Sequence, residues 1–449
     1  MDVVVVGGGF AGLSAGALLA ERGARVTVLD ARPQLGGRAT AFVDRHTGEL
    51  VDNGQHVLFG CYRETLDFLR RVGAMANVRI QPSMEVVYLD MAGRRSVLRC
   101  PPLPSPLHLV GAVLAWDAIP WRDRLGALKL AGPLRRARGD LRRSGSVSAE
   151  PAGTVSEWLL AHGQRRQLRE WLWEPLAVAA LNQSPEIASA APFVRVLAEM
   201  FGTDRAAASL VLPTKPLHQM YAEPARDFIV AHGGDVRVNA LARVVVERGR
   251  VRAVDVRGDR IEAATVIVAV PWFALRTLFT PAAPSELASV LAGAAAMESM
   301  PIVTVNLWYD RQVMDEPFVG LPGREMQWVF DKRIAFGGEA SHLSLVSSGA
   351  TRLALLGADE LKAIAAREVE QALPRARAAR LVRATVVREK QATFSLAPAQ
   401  PARPGSVTPV EGLYLAGDWT DTGLPGTIES AVMSGHTAAK HVTRLEFEG

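Results

Sequence analysis

The chain has 449 residues, 49% of them apolar, which supplies a large core, exceeds one ordinary domain and excludes a disordered chain. Its net charge of +5 is carried mostly by arginine; with no nucleic-acid fold signature beside it, anionic lipid is the expected contact and nucleic acid is not. Cys61 and Cys100 alone argue against a disulfide framework or a zinc site, no signal peptide precedes the first strand, and apolar runs such as 109–116 are too short to span a bilayer, so a cytoplasmic place is expected.

Residues 3–6 are four valines and read as a buried parallel strand. Gly7, Gly9 and Gly12 follow as G-x-G-x-x-G, with Phe10 and Ala11 leading into a helix over 11–22 that Gly23 stops. Gly7 permits the turn, Gly9 lets backbone approach a pyrophosphate, and Gly12 lets the helix pack on the strand. The helix N-terminus offers free N–H groups and the positive end of its dipole. A second strand, 26–29, ends at Asp30, an acid placed to bind a ribose hydroxyl pair, with Ala31 and Arg32 beside it. This strand–loop–helix–strand–acid unit predicts a dinucleotide site.

Leu35-Gly36-Gly37-Arg38 comes next and resembles the L-G-G-R signature of FAD-dependent amine oxidases and phytoene desaturases. The resemblance implies that Gly36, Gly37 and Arg38 close over the pyrophosphate of FAD, a task suited to the planar guanidinium fork. Residues 50–60 resemble the segment that passes the flavin ring in the same superfamily. There Gly54 would let the backbone approach the ring, with Gln55 and His56 near its face; a lone histidine is as readily a surface or core residue.

Residues 61–74 read as an amphipathic helix, and 84–89 with 94–98 as a hairpin about Ala92-Gly93. The proline-rich stretch 101–106 is a stiff break. An apolar helix over 107–118 and an arginine-rich one over 121–143 follow, suited either to a membrane interface or to a solvated face over the core. Residues 139–153 read as an exposed loop, and Thr154 to Glu157 as a capping box. Residues 165–181 carry Trp171, Trp173, Leu176 and Val178 at helical spacing, with Glu174 among them and a kink expected at Pro175. A third helix covers 185–201, so 100–201 forms a helical insert fit to line an apolar cavity.

Strands over 235–238, 243–247, 251–256 and 265–270, with turns at Gly249 and Gly258, read as one meander. It resembles the second FAD-domain segment of the superfamily, which implies that Val244 meets the adenine. Strands 301–309, 342–347 and 381–387 and a helix over 358–373 form the substrate half. The strand 413–418 closes in Gly417-Asp418, and 422–431 open a final helix. The resemblance implies that Asp418 binds the ribityl and pyrophosphate region and that Gly426, Thr427 and Ile428 point at the flavin's N1/C2 end, where a helix N-terminus stabilises the anionic reduced ring.

The expected fold is α/β: a Rossmann-like, glutathione-reductase-type FAD-binding domain (1–85, 211–280 and 396–449) interleaved with an α+β substrate domain (86–210 and 281–395). Taken whole, the sequence resembles the squalene-associated FAD-dependent desaturase family. The resemblance rests on 51–62 (VDNGQHVLFGCY), 173–182 (WEPLAVAALN) and 416–430 (AGDWTDTGLPGTIES). It implies reduction of hydroxysqualene to squalene, as in hopanoid synthesis, with hydride from the flavin and loss of water. It also implies a long isoprenoid substrate, which together with the apolar and arginine-rich stretch gives an expected place on the inner face of the membrane; with no separate nicotinamide motif in the chain, NAD(P)H or a redox partner is the expected electron source. A general acid is needed, and Glu174, Asp421 and His56 are the candidates. Three alternatives stay open: a carotenoid-type desaturase, an amine oxidase, whose usual lysine is missing from 301–309, and a flavin-free lipid escort like the Rab GDP-dissociation inhibitors.

Overall fold

The computed structural model describes residues 1–144, 153–202, 204–279, 281–337 and 341–447. Two large sheets organise it. The first is five-stranded and parallel, in the order Asp235–Arg237, Arg25–Leu29, Asp2–Val6, Val266–Val268, Leu413–Leu415. Val4 pairs with Thr27 on one side and Val266 on the other, so the valine run lies between neighbours and is buried. Such a strand needs apolar residues on both faces, which is why it reads as an unbroken β-branched run.

Two helices pack on each other beside this sheet, Phe10–Glu21 from the start of the chain and Ile428–Phe447 from its end. Their approach is close: a Cβ on Gly435 would stand 2.2 Å from the Ala11 carbonyl oxygen; at the other side of the first helix, one on Gly12 would stand 1.8 Å from the Gly7 carbonyl oxygen of the preceding turn. The first helix is buried almost all round, so it has no polar face to betray an amphipathic period.

The expected meander is divided. Only Ala242–Glu247, Arg250–Val256 and Asp259–Glu262 form an antiparallel sheet, while Asp235–Arg237 and Val266–Val268 join the parallel one. For the last of these strands the physical reason is burial. Val266–Val268 is covered on both faces, whereas the first two meander strands carry exposed residues between buried ones.

The second large sheet has seven strands, in the order Leu381–Phe394, Ser299–Tyr309, Ser341–Ser347, Trp328–Asp331, Phe318–Gly320, Glu85–Leu89, Arg95–Arg99. Cross-strand partners share a face. On one face Val303, Val305, Leu343 and Leu345 pack under the helix Ala358–Ala372 through Leu361, Ala365 and Val369. The other face carries Ile302, Thr304 and Asn306 opposite Glu389, Val387 and Thr385, and looks towards the cavity described below. Leu381–Phe394 runs seven residues beyond its expected end, because a register shift between Met300 and Ile302 lets the pairing continue through the polar Glu389-Lys390-Gln391.

The insert is helical, as expected, with three differences. The stretch 121–143 is not one helix but Trp121–Gly126, a 3₁₀ turn Ala127–Leu130, and Ala131–Ser144. The stretch 165–181 passes through a π-helical turn, Arg169–Trp173, just before Pro175. A second π turn, His218–Ala222, likewise precedes Pro224. Proline lacks the N–H for the i−4 carbonyl and crowds it, and widening the preceding turn absorbs both faults without a break. The loop expected at 139–153 is helix as far as Ser144, and residues 145–152 lie outside the described residues. Among the described residues no helix is long and apolar enough to cross a membrane.

Candidate functional site

A cavity of about 390 Å³ opens between the two sheets. One end lies at the first glycine turn. Gly7 has φ +116°, and a Cβ there would stand 2.5 Å from the Ala269 carbonyl oxygen, so only glycine fits. A Cβ on Gly9 would meet only the Cα of Gly37, at 3.7 Å, so Gly9 leaves its backbone open to the cavity. Gly9 caps the first helix without a side-chain acceptor, which leaves the helix-end N–H groups of Phe10 and Ala11 to a ligand.

Asp30, Ala31 and Arg32 line this end. The Asp30 carboxylate is already engaged: Gly8 N–H donates to Oδ2 at 2.7 Å and Arg32 N–H to Oδ1 at 2.8 Å. It holds the turn in shape and keeps further lone pairs for a hydroxyl. Ala240, Leu241 and Ala242 complete the wall. Val244, expected at the adenine, does not line the cavity. The strand Ala242–Glu247 leads away from it, and Val244 faces the core beside Val254 and Val266.

In the middle of the cavity stand Gly36, Gly37, Arg38, Gly417 and Asp418. Arg38 pairs through Nη2 with Asp418, donates through Nη1 to the Ala392 carbonyl at 2.7 Å, and lies 5.2 Å over the Trp272 ring. Asn53 donates to the Arg38 carbonyl at 2.7 Å and fixes the loop.

At the far end Gly54, Gln55 and His56 face Gly426, Thr427 and Ile428 across the cavity. The segment 52–55 is held from behind by a buried ion pair that sequence reading missed. Lys332 Nζ donates to Asp52 Oδ2 at 2.7 Å and also to Gln55 Oε1. Burial pushes the Lys332 ammonium down from its usual range, and Asp52 opposes that shift. Burial likewise lowers His56 to about 4, so its imidazole is neutral at neutral pH. The Tyr62 phenol, also lining the cavity, is pushed up by burial.

Beyond this end the lining turns apolar, with Val57, Ala179, Ala180, Ile302 and Val346. Val346 pairs with Trp328, which joins a cluster of Tyr88, Trp116, Trp171 and Phe318. Asn182, at φ 51°, donates to the Met300 carbonyl at 3.2 Å and Thr393 Oγ1 at 3.0 Å, tying the insert to the large sheet.

Two of the three candidate acids are not brought to this cavity. Glu174 sits outside the lining, 3.5 Å from Arg169 Nη1, with its carboxyl raised chiefly by burial. Asp421 is exposed, accepts from Gly423 N–H at 3.2 Å in a turn and lies 3.6 Å from Arg403. The cavity has instead a carboxylate that sequence reading passed over, Glu389. Its polar surroundings in sequence gave no sign that the strand continued so far.

Residues 10–443 match the family model of flavin-containing amine oxidoreductases. The chain belongs to that family. As a flavin-containing amine oxidoreductase it is 31% identical over 446 residues to the hydroxysqualene dehydroxylase of Rhodopseudomonas palustris, covering 97% of each chain. It is 29% identical to that of Sinorhizobium fredii, over 98% of this chain and 97% of the other. It is 25% identical to the zeta-carotene desaturase of Arabidopsis thaliana, over 98% and 85%. Among solved structures the fold is shared with an oxidoreductase from Methanosarcina mazei (TM-score 0.75, 16% identity, 98% and 100% covered) and with putrescine oxidase (TM-score 0.70, 19%, 99% and 99%).

The chain is thus an FAD-dependent oxidoreductase, and its cavity fits the cofactor. The open Gly9 backbone, the helix end without a side-chain cap and the cavity-lining Arg38 suit a pyrophosphate. The bare Gly54 backbone opposite the start of the last helix suits a flat ring system whose reduced form is anionic.

Proposed function

We propose that this flavoenzyme reduces hydroxysqualene to squalene, releasing water. The observation that carries the reading is the likeness along nearly the whole chain to hydroxysqualene dehydroxylases, at 31% identity against 25% for a carotene desaturase. When bound and reduced, the flavin supplies the hydride that replaces the hydroxyl. The residues of the chain do the rest. Gly7 to Ala11, Asp30 to Arg32, Gly36 to Arg38, Gly417 and Asp418 hold the dinucleotide; Gly54 to His56 and Gly426 to Ile428 hold the ring. Val57, Ala179, Ala180, Ile302 and Val346 keep water from a carbon that develops allylic-cation character. His56, half-buried and neutral, adds no charge that would repel the cation.

The electrons come from NAD(P)H or a partner protein. The long isoprenoid substrate enters from a membrane surface on the cytoplasmic side. Support for that surface lies at 103–128 rather than in the arginine-rich helix. Ala131–Ser144 buries Leu134 and Ala137 against the core, whereas Leu103, Leu107, Leu114, Trp121, Leu125 and Leu128 are exposed together on the preceding stretch.

The test is anaerobic mixing of photoreduced holoenzyme with hydroxysqualene, phytoene and simple amines. Reoxidation with hydroxysqualene and formation of squalene are expected. A reduced enzyme that ignores hydroxysqualene, while the oxidised enzyme bleaches with phytoene, makes it a desaturase.

A further inference from the structure

Hydroxide leaves carbon poorly unless a proton reaches its oxygen. Most polar groups of the cavity are already committed. Asp30 accepts from two backbone N–H groups at the first glycine turn, and Asp418 is paired with Arg38. His56 is held neutral and the Tyr62 phenol is pushed up, so neither gives a proton readily. Glu389 is the exception. It lines the cavity, is half-buried, and its carboxyl has no partner among the described residues.

Its place on the sheet is informative. Glu389 stands opposite Ile302, and the next pair on that face is Val387 with Thr304. Thr304 Oγ1, buried and without a hydrogen-bond partner among the described residues, lies 3.9 Å from where a Cβ on Gly54 would be. Four residues along the strand from Glu389, Thr393 would meet a Cβ on Gly426 at 3.2 Å. Glu389 therefore stands between the two segments, at Gly54 and Gly426, that flank the ring end of the cavity.

We propose that Glu389 is the catalytic acid that protonates the departing hydroxyl. The assignment rests on the dehydroxylase reading above. The carbon–oxygen bond breaks with its electron pair going to oxygen. The carboxyl O–H breaks, its proton joins that oxygen, and water leaves. The carbon gains the hydride of the reduced cofactor, and the half-exposed carboxylate regains a proton from solvent. Ile302, Val346, Ala179 and Ala180 offer the cation no competing nucleophile.

Glu389→Gln keeps the shape and a hydrogen-bond donor but removes the proton. The FAD-loaded variant, checked by its absorbance and melting, is reduced and mixed with hydroxysqualene. Reoxidation slower by about 100-fold or more is expected, with partial recovery in Glu389→Asp. A second readout needs no turnover. An analogue with a protonated amine in place of the hydroxyl is titrated into the oxidised protein by calorimetry, and the wild type should bind about tenfold more tightly than Glu389→Gln, since charge-assisted hydrogen bonds are the stronger ones. Equal rates and equal amine affinities overturn the assignment while leaving the dehydroxylase reading intact. A wild type that fails to reoxidise with hydroxysqualene overturns both.

Discussion

Glu429 is a carboxyl kept in an unfavourable place for a structural reason. It lies one residue after Ile428, is buried, and accepts from Glu64 N–H at 3.0 Å, Thr65 N–H at 2.9 Å and the Thr65 hydroxyl at 2.6 Å. It thus caps the helix Arg63–Arg71 from a distant part of the chain. Burial still outweighs these bonds and pushes the carboxyl from 4.5 up to about 7. The folded state holds this proton more tightly than the unfolded chain does. Stability from this group is therefore complete below pH 4.5 and is lost as pH rises to about 7, by at most about 3 kcal/mol. Melting curves of Glu429→Gln should fall less across that window than those of the wild type; parallel curves would refute the shift. Lys332 has the opposite character, a buried charge whose one carboxylate partner is Asp52. Lys332→Met leaves Asp52 buried and unpaired and should cost about 3–5 kcal/mol in denaturant unfolding. Lys332→Met unfolding within 1 kcal/mol of wild type would mean that water replaces the ammonium. The glycines of the cavity were legible in the sequence because backbone geometry admits nothing else at Gly7 or Gly12. Lys332 was not, because an ion pair spanning 280 residues leaves no local pattern.

At the scale of elements, what the sequence disclosed depended on periodicity. The valine strand, the amphipathic helices and the Thr154–Glu157 box were legible because their signals are local. The continuation of Leu381–Phe394 through Glu389-Lys390-Gln391 was hidden, because it depends on a register shift in the neighbouring strand. The reach of that strand decides the placement of Glu389, so the missed boundary and the missed candidate acid have one cause. The arginine-rich stretch 121–143 is a different case. Its charges are conspicuous in sequence, but the exposed apolar side chains lie at 103–128, before and within its first part. Replacing Leu107, Trp121 and Leu125 with glutamine should reduce flotation with anionic liposomes severalfold. Neutralising Arg135, Arg136, Arg142 and Arg143 should alter mainly its salt dependence. If the arginine variant alone abolishes binding, the contact is electrostatic and lies on Ala131–Ser144.

The whole molecule is threaded so that its two ends and its middle meet at one cavity. Gly7 to Ala11, Ala240 to Ala242, and Gly417, Asp418 and Gly426 to Ile428 are far apart in sequence and line the same space. The first and last helices lock together at Gly435, where the backbone comes too close to Ala11 for any side chain. A ligand that touches all three segments binds only when they are assembled, so FAD affinity and folding are linked. At free FAD of 100 times the dissociation constant the folded state gains about 2.7 kcal/mol. For a chain of this size that corresponds to a rise in melting temperature of only a few degrees. Resistance to proteolysis should also rise, first at cleavage sites near 240–242 and 417–428. The Gly9→Val variant, whose side chain would enter the open space above the turn, should melt close to the wild-type apoprotein and gain nothing from added FAD. An apoprotein that melts at the holoprotein's temperature would show that the three segments assemble fully without the cofactor. In that case the flavin would occupy a finished site rather than complete it.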